Sequence, residues 1–199
     1  MIFIIVVFLV LYFLALLFIF CYALIQTNLT YHYLKSKKQS QVEQPLPQDL
    51  PFVTIQLPIY NEPQVVERLL ETISDLTYPQ DRLEIQVLDD STDETSDLID
   101  QKLVQIKEKN TSIHVIRRKH RNQFKAGALK EGLKTAKGTL IAVFDADFMP
   151  EKDWLLKVLP YFNDEKIGVV QTRWGHLNRN YSWLTKAQAF ALDYHFRIE

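Results

Sequence analysis

The 199-residue chain has one cysteine, five glycines and no charged side chain at all among its first 25 residues. A single cysteine excludes a disulfide framework within the chain. Cys21 sits inside the apolar stretch, where a small, buried apolar role is expected. Neither GxGxxG nor GxxxxGK(S/T) occurs, so a dinucleotide fingerprint or a P-loop has no support. Neither sign of charge dominates: 23 Lys+Arg face 24 Asp+Glu, a formal net charge of -1. That balance excludes a nucleic-acid binder driven by bulk positive charge. Periodic apolar positions beyond residue 50 exclude a disordered chain.

What is present begins with MIFIIVVFLVLYFLALLFIFCYALI, Met1 to Ile25. As a helix it is roughly 37 Å long, enough to cross a hydrocarbon core of about 30 Å with some tilt. A cleaved signal peptide would carry a basic n-region and an apolar core of only about 7–15 residues, and this run has neither. Lys35, Lys37 and Lys38 follow it and nothing basic precedes it, so the positive-inside rule places the following domain in the cytoplasm. The sequon Asn28-Leu29-Thr30 would then be inert. Residues 26–51, with Pro45, Pro47 and Pro51, read as a juxtamembrane linker.

From Phe52 onward strand and helix patterns alternate. Strands are expected at Val53–Ile59, Leu83–Leu88, Ile113–Ile116, Thr139–Phe144 and Ile167–Thr172. Helices are expected at Glu62–Leu76, Thr95–Lys109, Phe124–Ala136, Glu151–Phe162 and from Trp183 to about Tyr194. Such alternation with short connections predicts an α/β fold, an open and mostly parallel sheet flanked by helices. In such sheets ligands bind beyond the carboxyl ends of the strands.

The residues at those ends form an ordered set. Tyr60-Asn61-Glu62 follow the first strand, Asp89-Asp90-Ser91-Thr92-Asp93 the second, and Arg117-Arg118-Lys119-His120-Arg121 with Lys125 the third. Asn61 on one loop and Ser91 or Thr92 on the next can also serve as helix caps. The basic stretch precedes a helix with small residues near its start, which suits an anion. After the fourth strand, Asp145 and Asp147 are two carboxylates one residue apart, able to reach one hard cation that also takes phosphate oxygens. Together these ends supply polar contacts, positive charge and a metal-type pair, which is what a nucleoside diphosphate needs.

PIYNE (Pro58–Glu62), LDDSTDET (Leu88–Thr95), RKHRNQFKAGAL (Arg118–Leu129) and FDADF (Phe144–Phe148) stand in the order and spacing of a known family. The chain resembles the membrane-bound family-two glycosyltransferases of GT-A fold. With VQTRWGHLN and LDYHF it resembles most the cellulose-synthase-like glucomannan (β-mannan) and xyloglucan-backbone synthases and their bacterial relatives. The resemblance covers 52–199, the expected glycosyltransferase domain. It implies that Tyr60, Glu62, Asp89 and Asp90 contact base and ribose, and that Lys125, Arg118 and Arg121 lie by the donor. Asp145 would meet the ribose side, and Asp147, with Asp145, a Mg2+ or Mn2+ ion. The implied reaction is inverting transfer of a hexose from UDP-glucose or GDP-mannose to a growing β-glycan. The implied partners are a nucleotide-sugar donor, a glycan or lipid acceptor and a membrane, with no nucleic acid. The implied setting is integral to the plasma membrane or Golgi, with the catalytic domain cytoplasmic. A single-sugar lipid glycosyltransferase of the ceramide glucosyltransferase kind and a non-catalytic nucleotide-sugar-binding module are the alternatives.

Three departures accompany the resemblance. Gln123 stands where the family has glycine in the basic loop, which questions the tight backbone there. Gln171-Thr172-Arg173-Trp174 is one residue too short for the family's QxxRW motif. No TED-type carboxylate precedes Glu199, and neither Asp193 nor Glu199 has a motif to nominate it as general base. The run also stops inside a helical pattern without a C-cap signal. The chain therefore reads as the donor-binding part of a longer protein, inactive alone.

Overall fold

The computed structural model describes residues 2–36, 45–106 and 112–198. Two compact units emerge: Gln44–Val170, and Met1–Glu43 together with Gln171–Glu199.

Within the first unit, β1 (Val53–Ile59), β2 (Leu83–Asp89), β3 (Ser112–Arg117) and β4 (Leu140–Val143) form one sheet in the order β3-β2-β1-β4. Every neighbouring pair is parallel, so all four carboxyl ends gather along one edge. The chain builds outward from β1 through β2 to β3 and returns to the far side of β1 as β4. That reversal puts the topological switch point, where sheets of this kind bind ligands, at the carboxyl ends of β1 and β4.

Period-2 alternation sorts the faces of β1 and β2. Val53, Ile55, Leu57 and Ile59 join Leu83, Ile85 and Val87 in the core. Helices α2 (Val66–Ser74) and α3 (Thr95–Ile106) complete it with Leu69, Leu70, Ile73 and Ile99. The opposite face carries four buried polar side chains, Thr54, Gln56, Glu84 and Gln86. Thr54 Oγ1 donates to Glu84 Oε2 at 2.8 Å, and Gln56 Nε2 to Gln86 Oε1 at 2.9 Å. Helix α4 (Phe124–Leu133) covers this ladder. A Cβ on Gly132 would stand 2.5 Å from Gln56 Nε2 and 2.8 Å from Gln86 Oε1, so any side chain there would have to push these hydrogen-bonded amides aside.

Several expected elements are shorter than the sequence pattern suggests. Helix α2 begins at Val66, not Glu62, because Pro63 biases Glu62 away from helical geometry. Helix α5 (Trp154–Val158) passes into a 3-10 turn, Leu159–Asn163, where Pro160 lacks the N–H that an α-helix would use. Helix α3 is described to Ile106; its expected end at Lys109 lies outside the described residues. The strand expected at Ile167–Thr172 is absent: no described strand lies beside it to share a ladder, and Val169 is 84% exposed.

The other unit contains α1 (Ile2–Ser36) and α6 (Trp183–Ile198). Helix α1 is long and apolar enough to cross a membrane. It continues past Ile25 into the expected linker, where no proline or glycine interrupts it. Thr27 and Thr30 return their hydroxyls to the carbonyls of Ala23 and Gln26, both at 2.8 Å. Cys21 is exposed on α1, not buried within the protein, because the apolar stretch of the helix is left uncovered by the described residues. Lys35 lies on its last turn; Lys37 and Lys38 lie outside the described residues.

Candidate functional site

The loop after β1 is fastened to the loop after β2. Asn61 takes a left-handed backbone, φ 55°. Its N–H donates to Ser91 Oγ at 3.1 Å, and its Oδ1 accepts the Thr92 N–H at 2.9 Å. It caps no helix. The start of α3 is served by Asp93, whose Oδ1 accepts the Thr95 N–H at 3.0 Å, and not by Ser91 or Thr92.

The paired carboxylates after β2 divide their work. Asp89 is buried and faces the fold. Its Oδ1 accepts the Ser91 N–H at 3.0 Å, and its Oδ2 accepts Ser96 Oγ at 2.7 Å and Arg117 Nε at 2.8 Å. Arg117 also donates to Asp100 at 2.9 Å, so it clamps the end of β3 to α3. Burial pushes the Asp89 carboxyl up, but hydrogen bonds from Arg117, Ser96 and Ser91 outweigh it and hold the group below the usual carboxylate range.

Asp90 receives Arg118 as a fork. Arg118 Nε donates to Oδ1 at 2.9 Å and Nη2 to Oδ2. The same guanidinium donates to the carbonyls of Asn122 at 2.9 Å and Phe124 at 3.1 Å. The pair is nearly out of solvent, with side-chain exposures of 12% for Arg118 and 6% for Asp90. It holds the basic loop against the end of β2. Asp90 raises the Arg118 pKa further.

The basic loop turns tightly without glycine. Gln123 (φ 59°) and Phe124 (φ 46°) both adopt left-handed backbone, so the substitution noted in the sequence is absorbed as strain and the turn is kept. Gly127 explains how closely the loop folds over α4: a Cβ there would lie 2.0 Å from the Asn122 carbonyl oxygen and 2.5 Å from Arg118 Nη1. Arg121 projects differently from Arg118. Its guanidinium carbon sits 3.4 Å from the centre of the Tyr60 ring and 4.9 Å from that of Phe124. This contact of one cation with two rings was not visible in the sequence, since Tyr60 is 61 positions from Arg121 and neighbours it only through the parallel sheet.

Beyond β4, Asp145 is paired with Lys125 of α4. Asp147 is exposed. Glu62, also exposed, and Asp147 carry no side-chain hydrogen bond or ion pair among the described residues. No group of three or more His, Cys, Asp or Glu gathers there among the described residues. The donor set is thus two carboxylates one residue apart. It fits a small hard cation that keeps waters and completes its shell with phosphate oxygens, and does not fit a closed structural metal site. The structure brings Tyr60, Asp90, Arg118, Arg121, Lys125, Asp145 and Asp147 to one edge of one unit. Asp89 supports that edge from beneath.

The sequence profile described as Glycosyl transferase family 2 matches residues 54–198. The chain belongs to that family. Among curated relatives, a probable glucomannan 4-beta-mannosyltransferase of Oryza sativa subsp. japonica is 43% identical over 154 residues, covering 75% of this chain and 28% of its own length. A glucomannan 4-beta-mannosyltransferase of Arabidopsis thaliana is 42% identical over 154 residues, covering 75% and 29%. The chain thus spans about 28% of the length of the curated relatives it matches. A mannosyltransferase of Pyrobaculum calidifontis, solved in complex with GDP-Man and Mn2+, superposes with a TM-score of 0.60 at 26% identity, over 75% of this chain and 47% of that one. The family-two fold expected from the motifs, a parallel sheet flanked by helices in the GT-A manner, is the fold observed.

In this family-two chain the second unit holds no nominated base. Arg173 and Arg179 both engage Asp193, at 3.1 Å and 2.8 Å; Glu199 lies outside the described residues. Trp174 is half-exposed.

Proposed function

We propose that this chain is the nucleotide-sugar-binding part of an inverting hexosyltransferase that extends a β-mannan-type glycan, with GDP-mannose as donor. One observation carries the reading. The ordered strand-end set, Tyr60, Asp90, Lys125, Asp145 and Asp147, lies along one sheet edge in a chain about 43% identical to a probable glucomannan mannosyltransferase. The Pyrobaculum mannosyltransferase, bound to GDP-Man and Mn2+, supports the same donor and a divalent ion.

The roles follow from placement. Tyr60, exposed beside β1, offers a ring face to the base. Asp90, fixed by Arg118, offers carboxylate oxygen at the ribose or base edge. Lys125 and Asp145 neutralise each other until the donor arrives, when Lys125 turns to the diphosphate. Asp147, with Asp145, would hold Mg2+ or Mn2+, whose contribution is to stabilise charge on the departing diphosphate. These residues bind and orient the donor and favour its leaving group. Taking the proton from the acceptor hydroxyl is a task none of them is placed to perform. Helix α1 would anchor the protein in the plasma membrane or Golgi, with the donor site cytoplasmic.

The test is calorimetry on the 199-residue chain in detergent micelles, titrated with GDP-mannose and UDP-glucose, with and without Mn2+. Manganese-dependent binding of GDP-mannose in preference to UDP-glucose is expected. Preference for UDP-glucose would overturn the donor assignment, and absence of binding to both would overturn the site.

A further inference from the structure

Arg118 and Arg121 lie three positions apart in the same loop but are held in opposite ways. Arg118 is tied down by a carboxylate fork and two carbonyls. Arg121 has no carboxylate partner among the described residues, and its Nε–H is buried without an acceptor. What holds it is two aromatic faces, Tyr60 at 3.4 Å and Phe124 at 4.9 Å. A 3.4 Å separation is stacking contact and leaves no room for a third ring between guanidinium and Tyr60. The more distant ring, Phe124, is 65% exposed and opens α4 on a left-handed backbone, so the second aromatic contact is made from the solvent-exposed start of that helix.

Resting on the donor-site reading above, we propose that Arg121 is a cation–π latch over the base site. Without ligand it covers the Tyr60 ring. When a nucleoside diphosphate arrives, Arg121 leaves the ring for the diphosphate, gains the anion it lacks, and uncovers Tyr60 for the base. Phosphate capture and base stacking are thereby coupled, and the site discriminates against nucleosides and free bases, which have nothing to draw the latch open. A cation–π contact, from exposed to desolvated, corresponds to a closed-to-open ratio of about 2 to 30, and apparent affinity for any ligand needing the open form falls by roughly that factor.

The test compares guanosine with GDP, and uridine with UDP, on the full 199-residue chain in micelles. Affinities are read from chemical-shift titrations with Mn2+ replaced by Mg2+. Whichever pair binds the wild type is then measured on Arg121→Ala and Phe124→Leu, with thermal unfolding as a check of folding. For Arg121→Ala the nucleoside is expected to bind more tightly, by about 2- to 30-fold. The preference for diphosphate over nucleoside should collapse by about tenfold or more, the worth of a charge-assisted hydrogen bond. Phe124→Leu, which loosens the latch and keeps the cation, should tighten the nucleoside while retaining the preference. If Arg121 merely props Tyr60, Arg121→Ala weakens the nucleoside and leaves the preference unchanged, and the latch is refuted while the donor site stands. A wild type that binds none of the four ligands removes the donor site and the latch together.

Discussion

Replacing Arg118 tests whether the strand-end edge is assembled by the fork to Asp90. Arg118→Ala leaves Asp90, only 6% exposed, without its partner. Deleting one member of a buried ion pair costs about 3–5 kcal/mol. Arg118 is itself 12% exposed, and the freed carbonyls of Asn122 and Phe124 lie where water reaches them. We therefore expect about 2–4 kcal/mol, near the lower end of that range. For a protein of this length that is a fall in Tm of about 4–16 °C, measurable by circular dichroism in micelles. Arg118→Lys is expected to recover little, because one ammonium cannot reproduce two parallel N–H bonds to a carboxylate and two more to carbonyls. A double-mutant cycle with Asp90→Ala sharpens the point: the double variant should be less damaged than the sum of the singles, by about 1–3 kcal/mol of coupling. Additive losses, or an Arg118→Ala shift under about 2 °C, would refute the idea that this pair fastens the basic loop to β2.

Further outcomes follow from the same geometry. Gln123→Gly, at φ 59°, should stabilise the chain by about 1 kcal/mol by relieving the left-handed strain; an unchanged or lower Tm contradicts it. Asp89 has its folded pKa depressed, so its contribution is fully present above the ordinary carboxylate value of about 4 and is lost as pH falls through the folded value. As pH falls below about 4 the wild type should therefore lose stability more steeply than Asp89→Asn, and equal slopes would count against the reading. Lys125 and Asp145 are each about half-exposed, so Lys125→Ala should cost less than about 1 kcal/mol of stability while weakening GDP about tenfold or more. A large Tm loss, or unaltered GDP affinity, would reverse that assignment.

The backbone plan was legible because β1 and β2 are continuous apolar-edged runs bounded by turn residues, and parallel pairing follows from the helices between them. The edge chemistry was legible as order: four strand ends, each with its own charge type. What escaped the sequence depends on contacts across the sheet. Asp89 and Asp90 are adjacent letters, yet alternation turns one into the fold toward Arg117 and the other outward to Arg118. The polar ladder of Thr54, Gln56, Glu84 and Gln86 is written in the same alternation, but its burial comes from α4, which the strand pattern does not show. The strand expected at Ile167–Thr172 failed for the converse reason: β propensity does not supply a neighbour. Glycine at position 123 proved dispensable to the turn, which the anchoring of Arg118 on Asn122 and Phe124 carbonyls helps to hold.

The central claim is that a nucleoside diphosphate and a divalent ion meet at Asp147. Paramagnetic broadening tests it directly. Sub-stoichiometric Mn2+ added to the GDP-saturated chain in micelles should broaden the amides of Asp145 to Phe148 first, and Asp147→Ala should abolish that broadening without lowering Tm. Broadening centred elsewhere, or persisting in Asp147→Ala, would contradict the account.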